Sequence, residues 1–129
     1  MLRLNRLHHI SVICSDYKKS LSFYTEVLGF KIIREIYREG RLSFKADLEI
    51  NGAYLLELFS FPVTPSRLTQ PEATGLRHLA FEVESLDKAI ELLKKKNVKT
   101  EAIRLDESTG KRFTFLFDPD ELPIELYEC

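Results

Sequence analysis

Only two cysteines occur in the 129 residues, Cys14 within an apolar run and Cys129 at the last position. Two thiols so placed do not make a disulfide framework, and both are expected to be free in a reducing compartment. Long hydrophobic runs are also missing. None approaches the roughly 18 residues of a membrane span, and the stretch from Met1 to Arg6 lacks the apolar core of a signal peptide. The cytoplasm is therefore the expected location. Nor is there an excess of charge of one sign: 19 Lys and Arg face 20 Asp and Glu, giving a formal net charge of −1. With basic residues interspersed among acids, neither nucleic acid nor an anionic membrane is an expected partner. The densest basic run, Lys94-Lys95-Lys96, reads as a solvated helix end favoured by the helix dipole. What the chain does have is 44% hydrophobic residues, enough for one core or for two small modules sharing one.

It also has an internal repeat. His9 opens the run Ile10-Ser11-Val12-Ile13-Cys14, and 69 residues later His78 opens Leu79-Ala80-Phe81-Glu82-Val83. Glu57 in Leu55-Leu56-Glu57-Leu58 recurs 68 residues later as Glu125 in Pro123-Ile124-Glu125-Leu126. Asp16 follows the first histidine by seven and Ser85 the second by seven, each an N-cap residue before a helical apolar pattern. The first pattern, Tyr17 to Leu28, aligns Leu21, Tyr24 and Leu28. The second, Leu86 to Lys96, aligns Leu86, Ala89, Ile90 and Leu93. Gly29 and Asn97 accept the left-handed conformation that ends a helix.

Strands follow each helix. Phe30 to Tyr37 and Leu42 to Ile50 precede the hairpin signal Asn51-Gly52 and then Ala53 to Phe61. In the second half Lys99 to Leu105, Arg112 to Phe117 and Leu122 to Glu128 are separated by polar turns at Asp106 to Lys111 and Asp118-Pro119-Asp120. Each half reads β-α-β-β-β, so the expected class is α+β, two such modules forming curved sheets. The expected modules are residues 1–61 and 75–129, joined by a Pro-rich linker over 62–74.

Two histidines and two glutamates in equivalent places suggest a pseudo-symmetric metal site. A single strand histidine is commonly a hydrogen-bonded core residue, and a single strand glutamate commonly faces water. Two repeat-related pairs are hard to account for in that way. Strand parity places His9, Ser11 and Ile13 on one face and His8, Ile10, Val12 and Cys14 on the other. His9 is the candidate ligand because it alone matches His78. Glu57 shares its face with Leu55 and Phe59, where an unpaired carboxylate is costly.

The opening His9-Ile10-Ser11-Val12 with Asp16, the segment Phe23-Tyr24-Thr25-Glu26-Val27-Leu28-Gly29-Phe30, Glu57 in its strand, Gly75-Leu76-Arg77-His78-Leu79-Ala80-Phe81, and Asp118-Pro119-Asp120 leading to Ile124-Glu125-Leu126 resemble the vicinal oxygen chelate superfamily. The resemblance covers nearly the whole chain and is greatest to small bacterial glyoxalase-like proteins. It implies paired modules whose sheets enclose a divalent metal, nickel, zinc or cobalt, held by His9, Glu57, His78 and Glu125. In similar small proteins the modules commonly pair between chains, so a homodimer is expected, each site taking His9 and Glu57 from one chain and His78 and Glu125 from the other; packing of both modules within one chain is the competing arrangement.

Such a ligand set leaves room for two substrate oxygens, and Glu125 or Glu57 is the candidate base for moving a proton between adjacent carbons. The expected function is a metal-dependent lyase or isomerase acting on a small oxygenated metabolite. Lys45, Arg77 and Arg112 are candidate contacts for an anionic group on it. The chain departs from bacterial glyoxalase I at Ile13 and Phe61, where that enzyme type carries an Arg and an Asn for glutathione; this argues against a glutathione substrate. An extradiol dioxygenase, which commonly uses two His and one carboxylate, and a metal-free binding module are the competing readings. The second glutamate weighs against the former and the intact ligand set against the latter.

Overall fold

The computed structural model describes residues 1–129. The chain divides into two compact units, Met1–Pro65 and Ser66–Cys129. No helix is long and apolar enough to cross a membrane.

The first unit runs β1 (Ile10–Cys14), α1 (Tyr17–Ser22), a π-helical turn (Phe23–Val27), β2 (Lys31–Arg38), a 3-10 turn (Glu39–Arg41), β3 (Ser43–Ile50) and β4 (Ala53–Ser60). Its sheet has the order β1-β4-β3-β2, with β1 and β4 parallel and the other pairs antiparallel. The second unit runs β5 (Leu79–Val83), α2 (Leu86–Lys95), β6 (Arg104–Asp106), β7 (Lys111–Phe117) and β8 (Pro123–Glu128), in the order β5-β8-β7-β6. Again the outer pair β5 and β8 is parallel. The same topology twice is the α+β, paired-module architecture that the repeat implies.

Local chemistry explains most boundaries. Asp16 Oδ1 accepts from Lys19 N at 3.1 Å and Ser85 Oγ from Lys88 N at 3.3 Å, satisfying donors that each helix start leaves orphaned. Gly29 at φ 84° and Asn97 at φ 58° supply the left-handed exits. Asn51 and Gly52, at φ 51° and 78°, make the tight hairpin between β3 and β4.

Two elements differ from expectation. The first helix is not α-helical to Leu28: beyond Ser22 it widens, Leu28 N bonding to Phe23 O at 3.1 Å. Thr25 Oγ1 donates to Leu21 O at 2.8 Å, competing with the backbone ladder. The wide turn buries both Phe23 and Tyr24. The strand expected over Lys99 to Leu105 shrinks to Arg104–Asp106. Upstream of it Glu101 is held by its N–H on Phe115 O and by Thr114 Oγ1 on its carbonyl, so a side-chain bond stands where a ladder bond would continue the strand.

In the first unit the core comprises Val12, Cys14, Tyr24, Ala46, Leu48, Leu56 and Leu58, and in the second Leu79, Leu86, Leu93, Leu116, Ile124 and Leu126. Cys14 is buried and Cys129 exposed, both as free thiols. Residues alternating with these core positions on β4 and β8 include Glu57 and Glu125, so core packing fixes which way both carboxylates face.

Candidate metal and catalytic site

His9 and His78 each stand one residue before the first strand of their unit, and Glu57 and Glu125 lie on the strand that pairs with it in parallel. The registers match: Ser11 sits opposite Glu57 and Ala80 opposite Glu125. This geometry brings His9 Nε2 to 3.1 Å from Glu57 Oε1, and His78 Nε2 to 2.9 Å from Glu125 Oε2. Both glutamate side chains are 13% exposed and the imidazoles 37% and 24%, so each pair is accessible at the imidazole end. An imidazole nitrogen with a carboxylate oxygen is a donor set that suits borderline divalent ions such as zinc, nickel or cobalt. Taken by itself, each unit brings together one imidazole and one carboxylate, and no group of three or more His, Cys, Asp or Glu side chains forms.

The two pairs sit in opposite environments. Glu57 accepts from Ser11 Oγ at 2.6 Å and from Tyr54 at 2.7 Å, and Lys45 Nζ lies 3.2 Å away. Lys45 also reaches Asp47 at 3.1 Å, and Asp47 is bound by Arg34 and by the Tyr54 hydroxyl at 3.0 Å. One hydroxyl proton thus serves two carboxylates. His8 Nδ1 meets His9 Nδ1 at 2.8 Å, turning the Nε2 of His9 toward Glu57. In the second unit the matching neighbours are apolar: Ala80 stands for Ser11, Phe115 for Asp47 and Phe113 for Lys45. Glu125 meets the His78 imidazole, whose ring packs edge-to-face with Phe115 at 5.2 Å.

Burial pushes the Glu57 carboxyl up, but the Ser11, Tyr54 and Lys45 donors outweigh it and hold its pKa down at about 2. Burial and the two neighbouring carboxylates push the Tyr54 phenol well above its ordinary value. The hydrogen bond to Asp47 leads the upward shift of Lys45. For Asp47 itself burial acts upward, while Arg34, Lys45 and Tyr54 together leave it below its ordinary 3.8.

A carboxylate depressed on folding contributes stability that is present above its unfolded pKa and lost as pH falls through the folded value. Asp47→Asn is therefore expected to flatten the acid limb of the stability curve below about pH 4. Thermal unfolding of both proteins across that range checks it; an equally steep acid loss in the variant would refute the role.

Of the three cations expected to face a substrate, Lys45 is tied into the Glu57 web. Arg77 pairs with Glu72 and lines a cavity with His78. Arg112 is instead a brace for α2, bound to Glu128 and Asp87, with Glu128 also accepting from Leu86 N at 2.8 Å; it is not among the residues lining the cavity. Sequence reading missed Ser11, Tyr54 and Asp47 in the first unit and Arg67, Arg104 and Phe115 in the second. Parity with His9 is a usable signal for Ser11, whereas the others depend on which strands become neighbours.

A model of the Glyoxalase/Bleomycin resistance protein/Dioxygenase superfamily matches residues 6–126. The chain belongs to that superfamily. It is 62% identical over 125 residues to Uncharacterized protein YwkD of Bacillus subtilis, covering 97% of this chain and 98% of that protein. It is 34% identical over 128 residues to a lactoylglutathione lyase of Neisseria meningitidis, covering 95% of this chain and 90% of the lyase. Among solved structures, a glyoxalase family protein from Enterococcus faecalis superposes with TM-score 0.89 at 42% identity, covering 96% of this chain and 98% of the other.

Proposed function

We propose that the protein is a metal-dependent lyase or isomerase of glyoxalase type that moves a proton between adjacent carbons of a small oxygenated metabolite. The observation that carries this reading is the His–Glu pair built twice at the same strand addresses. Membership of the superfamily and the likeness to a lactoylglutathione lyase support it.

In this reading His9, Glu57, His78 and Glu125 hold one divalent ion, nickel, zinc or cobalt. When bound, the ion supplies Lewis-acid stabilisation of negative charge developing on neighbouring substrate oxygens. The chain's own groups divide the remaining work. Glu57, held by Ser11, Tyr54 and Lys45, stays in place as a fixed anion. Glu125 meets His78 but lacks the hydroxyl and ammonium donors that hold Glu57, and it is our choice of base. It takes a proton from one carbon as that C–H bond breaks and returns it as a C–H bond forms on the next. Glutathione is disfavoured as the substrate's carrier: Ile13 offers an exposed apolar side chain, and Phe61 stacks on Phe59 under the Arg41 guanidinium. We further propose a cytoplasmic homodimer in which each ion takes one pair from each chain.

Elemental analysis of protein purified without chelator tests the reading. About one nickel, zinc or cobalt per chain is expected, lost in His78→Ala. Iron would point to the dioxygenase, and a metal-free protein to a binding module; either result displaces the lyase or isomerase.

A further inference from the structure

The second unit contains a cavity of about 230 Å³ whose wall includes His78, Phe115, Phe117, Arg67, Arg77 and Arg104. We propose that this cavity receives the anionic end of the substrate, a carboxylate or a phosphate monoester, with Arg77 and Arg104 as the groups that grip it. The inference rests on the reading above only in taking His78 as the reacting end of the site.

Charge is the first argument. Three guanidiniums line the cavity with two carboxylates, Glu72 and Glu101, and a third carboxylate, Glu125, stands behind the His78 wall, so cationic forks converge on a concave surface whose counter-charges lie at its margin. The three arginines do different things. Arg67 is committed to its own loop, donating to Thr69 Oγ1 at 3.1 Å, Leu76 O at 2.8 Å and Arg77 O at 3.1 Å; it shapes the segment leading to His78 and contributes a fixed charge. The ion pairs of Arg77 and Arg104 are exposed ones, Arg77 to Glu72 and Arg104 to Glu101, with every partner between 47% and 68% exposed. Exposed pairs of that kind hold their partners weakly. A ligand anion entering a concave wall can accept from both forks, and such charge-assisted bonds are the stronger kind. The glutamates then act as place-holders that release the guanidiniums.

Position is the second argument. The Arg104 guanidinium lies over Phe113 and Phe115, 5.1 and 5.4 Å from their centroids, which holds it against the aromatic wall. The Phe115 ring in turn meets His78 edge-on at 5.2 Å. A single ring therefore separates the gripping cation from the candidate ligand. A substrate spanning the two is short, charged at one end and oxygenated at the other. The volume agrees, since it lies below the roughly 300–1,000 Å³ of pockets for drug-sized ligands.

Titration calorimetry of the full chain tests this with three probes: lactate as a small carboxylate, glycerol 3-phosphate as a phosphate monoester, and glycerol as a neutral control. One of the two anions is expected to bind and glycerol not. Arg77→Gln/Arg104→Gln should weaken that binding about 10-fold or more, whereas Lys95→Gln, the loss of one cation on the exposed face of α2, should not change it. Which anion binds decides between carboxylate and phosphate. Equal binding by the double variant, equal binding of glycerol, or no binding of either anion overturns the proposal. The titrations are run on metal-loaded and chelator-treated protein with metal content measured in each. Arginine-dependent anion binding by a protein that takes up no metal would sink the proton-transfer reading and leave this one standing.

Discussion

Glu125→Gln is expected to lower kcat by about 10²-fold or more on an established substrate, the usual contribution of a positioned general base. The amide keeps the shape and the ligating oxygen but cannot carry the proton. Its neighbours Ala80 and Phe115 make no hydrogen bond that the substitution would break, so the second unit should stay folded. Glu57→Gln should behave differently. There the carboxylate is a hub for Ser11, Tyr54 and Lys45, and the amide leaves the Lys45 ammonium with less charge to answer it. Its principal expected effect is weaker metal retention, with a smaller change in kcat once metal is restored. Steady-state kinetics at measured metal occupancy separates the two. A larger kcat loss for Glu57→Gln at full occupancy would reverse the assignment, and unchanged turnover in both would exclude carboxylate proton transfer.

Mixing two inactive chains should restore function. His9→Ala and His78→Ala each remove one ligand from every site, so either homodimer is expected to lose its metal. In a heterodimer with shared sites, one site inherits both lesions and the other inherits none. Random reassociation of equal amounts makes half the dimers mixed, so metal content and activity should recover to about one quarter of the wild-type level. Sites completed within one chain predict no recovery. Sedimentation of the wild-type protein as a metal-replete monomer at micromolar concentration would also rule sharing out.

Much of the architecture was legible because it depends on short-range chemistry. Asp16 and Ser85 mark helix starts through a side-chain oxygen three residues from its donor, and Asn51-Gly52 marks a hairpin through two positive φ angles. The buried Cys14 and Val12 follow from alternation along one strand. The repeat placed His9, Glu57, His78 and Glu125 at matching addresses before any strand pairing was known. What escaped depends on neighbours across the sheet. Asp47 faces Glu57, and Phe115 faces Glu125, only because of the β3–β4 and β7–β8 registers. Arg104 gains its place over Phe113 and Phe115 through the short β6, which sequence pattern had drawn longer and further upstream. The widened turn after Ser22 was hidden for a similar reason, since Thr25 competes for a backbone carbonyl that pattern matching assigns to the helix.

The matched addresses of Glu57 and Glu125 carry a consequence for how such a chain can change. In each unit the carboxylate is aimed by its own strand, whereas its company is chosen by the strands alongside: Ser11 and Asp47 in one copy, Ala80 and Phe115 in the other. Substitutions on the adjoining strands can therefore retune each carboxylate's mobility and hydration while its aim is left alone. A duplicated scaffold built this way lets the surroundings of one carboxylate change on β7 without the β4 half of the chain having to follow.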